Sequence, residues 1–94
     1  MFSVLISIYK KENPLFFQQS LDSIFNQTLL PNEVILVKDG PLTNALDTII
    51  NEYTKRYSTL KIINLPINQG LGKALNEGLK HCSYELVARM DTDD

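Results

Sequence analysis

Glu85-Leu86-Val87-Ala88-Arg89-Met90-Asp91-Thr92-Asp93-Asp94 is a short run of strand-forming residues that ends in three carboxylates within four positions. An apolar strand that delivers clustered aspartates at its carboxyl end is one way in which α/β proteins hold a divalent cation against a ligand's phosphates. Taken alone, such a cluster reads as a solvated charged tail. Placed directly after a strand, with Asp39 predicted on the same rim, it reads as part of a binding site.

Upstream, the pattern alternates between strand and helix. Ser3 to Tyr9 is rich in branched apolar residues without strict alternation, as expected of a strand covered on both faces. Asn13-Pro14 supplies an N-cap followed by proline at the first helical position. Phe17, Leu21, Ile24 and Phe25 then form one apolar stripe, predicting a helix that ends near Gln27. Glu33 to Val37 is the second strand, and Lys38-Asp39-Gly40-Pro41 carries the residues of a tight turn. Leu46, Ile49, Ile50, Tyr53 and Tyr57 recur at helical spacing from about Thr43 to Tyr57. Leu60 to Leu65 is a third strand, and Leu71, Leu75, Gly78, Leu79 and Cys82 mark a third helix, with Gly78 suited to close approach to the sheet. Tyr84 to Met90 closes the series.

Four apolar strands separated by three helices predict a three-layer α/β/α, Rossmann-like open sheet, mostly parallel, with strand order 3-2-1-4. At 94 residues the chain is one small domain at most. The net charge of −2, with cations scattered rather than clustered, argues against nucleic-acid binding, and no nucleic-acid partner is expected. No apolar run is long enough to cross a bilayer, and Met1-Phe2-Ser3 leads into a strand without a basic leader. The expected location is cytoplasmic, including the inner face of the membrane. The single Cys82 fits a reducing compartment and a packing role, and the single His81 a solvent-facing one.

In an open parallel sheet, ligands bind beyond the carboxyl ends of the strands. That rim carries Ser7 and Tyr9, then Asp39-Gly40, then Asn68 to Lys73, then Asp91 to Asp94. Gly70-Leu71-Gly72-Lys73 meets neither common nucleotide loop. A dinucleotide fingerprint needs glycine at Leu75, and a P-loop needs glycine at Ile67 and a hydroxyl residue at Ala74. The two glycines either let the loop approach a ligand or simply open the helix. Lys73 reads as a solvated helix-start lysine or as one that reaches a diphosphate. Arg89 and Asp91 fall on one side of an extended strand, which favours a local ion pair over contact between Arg89 and a ligand.

Five segments taken together resemble the amino-terminal, nucleotide-binding half of family 2 glycosyltransferases, whose fold is called GT-A. They are Phe2 to Tyr9, Ser23 to Thr28, Glu33 to Gly40, Asn68 to Gly78 and Ala88 to Asp94, in order along the whole chain. The resemblance implies a transferase that moves a sugar from a UDP- or GDP-linked donor to a glycan or lipid-linked acceptor in bacterial polysaccharide or glycan biosynthesis. It implies that Ser7 and Tyr9 lie against the nucleotide base and that Asp39 accepts a hydrogen bond from a base N–H. Asp91-Thr92-Asp93-Asp94 is similar to the family's DxD motif. Asp91 and Asp93 would then meet the donor, and Asp91, Asp93 and Asp94 would supply the ligands of a Mn²⁺ or Mg²⁺ on its diphosphate. Lys38 departs from the pattern, since many members carry a second acid there.

The general base of such an enzyme is expected outside these 94 residues. The stretch is therefore expected to be a partial domain over residues 1–94, competent at best for weak donor binding, with self-association through an uncovered sheet edge. The competing reading is a non-catalytic α/β module, a receiver-like regulator that holds Mg²⁺ at acidic strand ends. A receiver gathers acids after its first and third strands, where this chain has Tyr9 and Pro66.

Overall fold

Seven elements alternate without exception in residues 1–91, the part of the chain that the computed structural model describes. They are β1 (Phe2–Ile8), α1 (Pro14–Phe25), β2 (Glu33–Asp39), α2 (Asn44–Arg56), β3 (Leu60–Leu65), α3 (Leu71–Leu79) and β4 (Leu86–Met90). The helix starts follow local chemistry. Asn13 Oδ1 accepts from the backbone N–H groups of Leu15 and Phe16, with Pro14 at the first helical position. Thr43 Oγ1 accepts from Leu46 N, and α2 carries Asp47 in its first turn and Lys55 and Arg56 in its last, complementing the helix dipole.

The sheet is parallel throughout, in the order β3-β2-β1-β4. On one face Val4, Ile6, Ile8, Val34, Leu36 and Leu60 pack against Phe17, Leu21 and Ile24 of α1 and Leu46, Ile50 and Tyr53 of α2. On the other, Leu5, Ile35 and Val37 pack against Ala74 and Leu75 of α3. The two faces give the α/β/α layering that the alternation predicts. Gly78 brings α3 down onto the sheet, because a Cβ there would lie 2.3 Å from Leu5 Cδ1 and 2.8 Å from Val37 Cγ2.

The element ends differ from the sequence reading for identifiable reasons. Helix α1 stops at Phe25 rather than near Gln27, since Asn26 leaves helical geometry while its N–H still bonds Asp22 O. Strand β2 runs through Lys38 and Asp39, which the turn signal had excluded, because those residues pair with Asn64 and Leu65 of β3. Strand β4 begins at Leu86 rather than Tyr84, where pairing with Phe2 begins. As an edge strand β4 is more open than β1 and β2, and Leu86 is 69% exposed.

At the amino ends of the strands, Glu33 is 2% exposed and fully engaged. It accepts from Ser3 Oγ at 2.6 Å and from the backbone N–H of Ser83, and Lys61 Nζ lies 3.5 Å away. Burial acts to raise its pKa, and the hydrogen bonds from Ser3, Ser83 and Lys61 outweigh it, holding the carboxyl below its ordinary value near 4.5.

Candidate functional site

A cleft of about 410 Å³ opens at the carboxyl-end rim, lined by Ser7, Tyr9, Glu12, Asp39, Asn68, Gly70 and Leu71. Three connections build it. Strand β1 ends at Ile8, so Ser7 lies in its last turn of pleat, half-buried, and Tyr9 follows at 39% exposure. Ser7 is opposite Val37 in the parallel ladder, which puts Asp39 two residues further along the neighbouring strand on the same face. The third wall is the connection between β3 and α3.

Asp39 ties that wall in place. It is 4% exposed, with Oδ1 accepting from Gln69 N at 2.7 Å and Oδ2 from Gly70 N at 3.1 Å. Asn68 Nδ2 donates to the Asp39 carbonyl at 3.3 Å. Each carboxylate oxygen retains acceptor capacity beyond the bond it makes. Gly40 follows with φ +87°, and a Cβ there would lie 2.6 Å from Asn68 N, so the loop packs directly on its backbone. Gly70, also at positive φ, caps α3 and borders the cleft.

Of the residues singled out from sequence, Ser7, Tyr9 and Asp39 meet in this cleft. Lys73 lies instead over a shallow surface with Gln69, Asn76, Glu77 and Lys80. Asp91 follows β4 on the same rim, exposed, its carbonyl 3.5 Å from Ser20 Oγ. Asp93 and Asp94 lie outside the described residues. Among the described residues no three His, Cys, Asp or Glu side chains gather around a point that could hold a metal ion.

The favoured Arg89–Asp91 ion pair does not form. Arg89 instead lines a groove of about 350 Å³ with Leu5, Gly72, Leu75, Asn76, Leu79 and Val87, on the face that carries α3. Lys38, the departure from the family pattern, projects to the opposite face, where Nζ lies 2.9 Å from Asp47 Oδ1 as a charge contact rather than an aligned hydrogen bond. Glu12 is the cleft residue that sequence reading missed. The available signal was its place in the connection after β1. Cys82 packs half-buried against the α3 face of the sheet, and burial, then the nearby Glu33 charge, push its thiol up, as befits a packing role. His81 is exposed.

The family model described as Glycosyl transferase family 2 matches residues 3–94, and the chain belongs to that family. It is 50% identical over 93 residues to an uncharacterized glycosyltransferase of Haemophilus influenzae, covering 99% of this chain and 34% of that protein. It is 46% identical over 93 residues to the UDP-Gal:alpha-D-GlcNAc-diphosphoundecaprenol beta-1,3-galactosyltransferase of Escherichia coli, again covering 99% of this chain and 34% of the relative. Among solved structures, the mannosyltransferase PcManGT of Pyrobaculum calidifontis, in complex with GDP-Man and Mn²⁺, superposes with a TM-score of 0.83 at 23% identity, covering 98% of this chain and 27% of that one. The fold is thus that of GT-A glycosyltransferases. The chain spans about a third of the length of these curated relatives (34%). No helix among the described residues is long and apolar enough to cross a membrane.

Proposed function

We propose that the cleft receives the nucleoside of a nucleotide-sugar donor, and that the whole protein transfers the sugar to the hydroxyl of a glycan or lipid-linked acceptor in bacterial polysaccharide or glycan biosynthesis. The observation that carries this reading is the convergence of Ser7, Tyr9 and Asp39 on one 410 Å³ cleft at the carboxyl-end rim. Charge gives the bound donor a direction. Asp39 and Glu12 make the cleft a poor place for phosphate and a good one for N–H donors of a base or hydroxyls of a ribose. Tyr9, partly exposed at the mouth, offers a ring face to a planar base.

The diphosphate then points along the rim toward Asp91, the first residue of the DxD-like cluster. Asp91, Asp93 and Asp94 offer oxygen donors only, the set that suits Mn²⁺ or Mg²⁺ rather than a softer metal. Such a cation, held by those carboxylates, would supply neutralisation of the charge on the leaving nucleoside diphosphate. The chain's own residues seat the base, fix the loop against it and keep the reacting end at the rim. The E. coli relative's UDP-linked donor and diphosphoundecaprenol acceptor, and the GDP-Man and Mn²⁺ bound by the structural neighbour, support this reading.

Calorimetric titration of the full-length protein with UDP and with GDP, each with Mn²⁺, tests the proposal. Saturable binding of one nucleotide, weakened by Asp39→Ala, is expected. Heat changes indistinguishable from dilution for both would contradict it, and would revive the regulatory-module reading.

A further inference from the structure

Asp39 makes an arrangement that a residue needed only to meet a base would not require. Both carboxylate oxygens are occupied by consecutive backbone N–H groups, Gln69 and Gly70, from a connection thirty residues on. The same connection is anchored a second time by Asn68 Nδ2 on the Asp39 carbonyl, and a third time by its packing against the bare α-carbon of Gly40. Asn68, Gly70 and Leu71 of this segment form one side of the cleft. Residues 66–70 carry no regular structure, so little besides these contacts fixes their backbone.

We propose that Asp39 is a positioning residue whose carboxylate latches the connection between β3 and α3 onto the end of β2, and so builds the cleft wall before any ligand arrives. The proposal deepens the nucleotide-binding reading and rests on it for its consequence. The latch itself consists of bonds within the protein. A carboxylate suits the task because two neighbouring N–H groups need two acceptor oxygens in one plane. Asparagine offers one acceptor and sets an NH₂ group against the second N–H, so it cannot hold both. Gly40 acts in the same device from the other side. A side chain there would push Asn68 away while leaving the carboxylate intact.

Amide hydrogen exchange on the ligand-free, full-length protein tests the latch. In Asp39→Asn, exchange at Gln69 and Gly70 should rise about tenfold or more, the scale of one lost charge-assisted hydrogen bond, while Leu36 and Val37 in β2 keep their protection. Unchanged exchange at Gln69 and Gly70 overturns the proposal. Should Asp39→Asn lose protection in β2 as well, Gly40→Ala decides, since it should free the same two amides with the carboxylate present. A second readout separates positioning from direct base contact. Whichever of UDP or GDP binds is compared with its analogue methylated at the ring N–H, N3 of uracil or N1 of guanine, which removes that donor to Asp39. The latch predicts that Asp39→Asn weakens both ligands. Equal affinity of wild type and variant for the methylated ligand, with loss only for the parent nucleotide, contradicts it. Absence of nucleotide binding by the wild type would overturn the proposed function, while the exchange data would still decide the latch.

Discussion

Oδ1 of Asp39 lies 2.7 Å from the backbone nitrogen of Gln69, thirty residues further along the chain. The bond exists because β2 is flanked by β3, so that the segment leaving β3 returns over the end of β2. Sheet order and site geometry are thereby the same fact. Replacing Asp39 with alanine removes, from a residue that is 4% exposed, the charged acceptor of two backbone hydrogen bonds. A loss of about 1–3 kcal/mol is expected in urea denaturation, separate from any effect on ligands.

Gly78→Ala tests the seating of α3. The added methyl gains up to about 1 kcal/mol in helix propensity. It meets Leu5 Cδ1 at 2.3 Å and Val37 Cγ2 at 2.8 Å, in a layer where both neighbours are buried. Overpacking at such a site costs about 1–3 kcal/mol, so net destabilisation is expected, read as a lower urea midpoint.

Glu33 gives stability a dependence on acid. Its folded carboxyl titrates below the ordinary value near 4.5. The contribution is therefore complete above that value and is lost as pH falls through the folded one. Denaturation midpoints measured from pH 7 downward should fall more steeply for wild type than for Glu33→Gln. Parallel curves would show that the Ser3 and Ser83 contacts do not favour the charged form.

Tyr53 acts at the other end of the scale. It is 2% exposed, its hydroxyl donates to Asp22 of α1, and burial together with that carboxylate pushes its pKa up to about 12 from 10.0. The fold favours the protonated phenol, so its contribution is present below pH 10 and is lost as pH rises toward 12. Tyr53→Phe should flatten the alkaline limb of the stability profile and cost about 1.5–3 kcal/mol at neutral pH, as for a hydrogen bond to a charged group.

Lys38 should be quiet. Its pair with Asp47 is partly exposed, with side chains 22% and 39% accessible, and such pairs are worth about 0–1 kcal/mol. Because the side chain projects to the α2 face, Lys38→Ala should leave nucleotide affinity within about twofold of wild type. A tenfold change in calorimetry would mean that the departure from the family pattern reaches the cleft.

The sheet order and the start of α1 were readable from sequence through the apolar strands, Asn13-Pro14 and the alternation that forces crossovers. Ser7, Tyr9 and Asp39 were readable as rim residues because the carboxyl ends of parallel strands must share one edge. Other features depend on tertiary closure. The two extra residues of β2 follow from pairing with β3, and the bonds from Asp39 to Gln69 and Gly70 follow from the path of a loop. Glu12 enters the cleft through the turn that follows β1, where its N–H bonds Tyr9 O, and no spacing rule marks it. Arg89 and Asp91 share the parity that suggested an ion pair, yet Arg89 lies over the groove beside α3, which parity cannot foresee.

The central claim is that the nucleoside of a donor sits between the ends of β1 and β2 and the loop before α3. Exchange mass spectrometry on the full-length protein, with and without UDP or GDP and Mn²⁺, tests it most directly. Protection is expected in peptides spanning residues 7–12, 39–40 and 67–71, which carry the cleft lining, and not in the solvent-facing part of α2. Protection confined to the groove between α3 and β4, or no ligand-dependent change in those three segments at saturating nucleotide, would contradict the account.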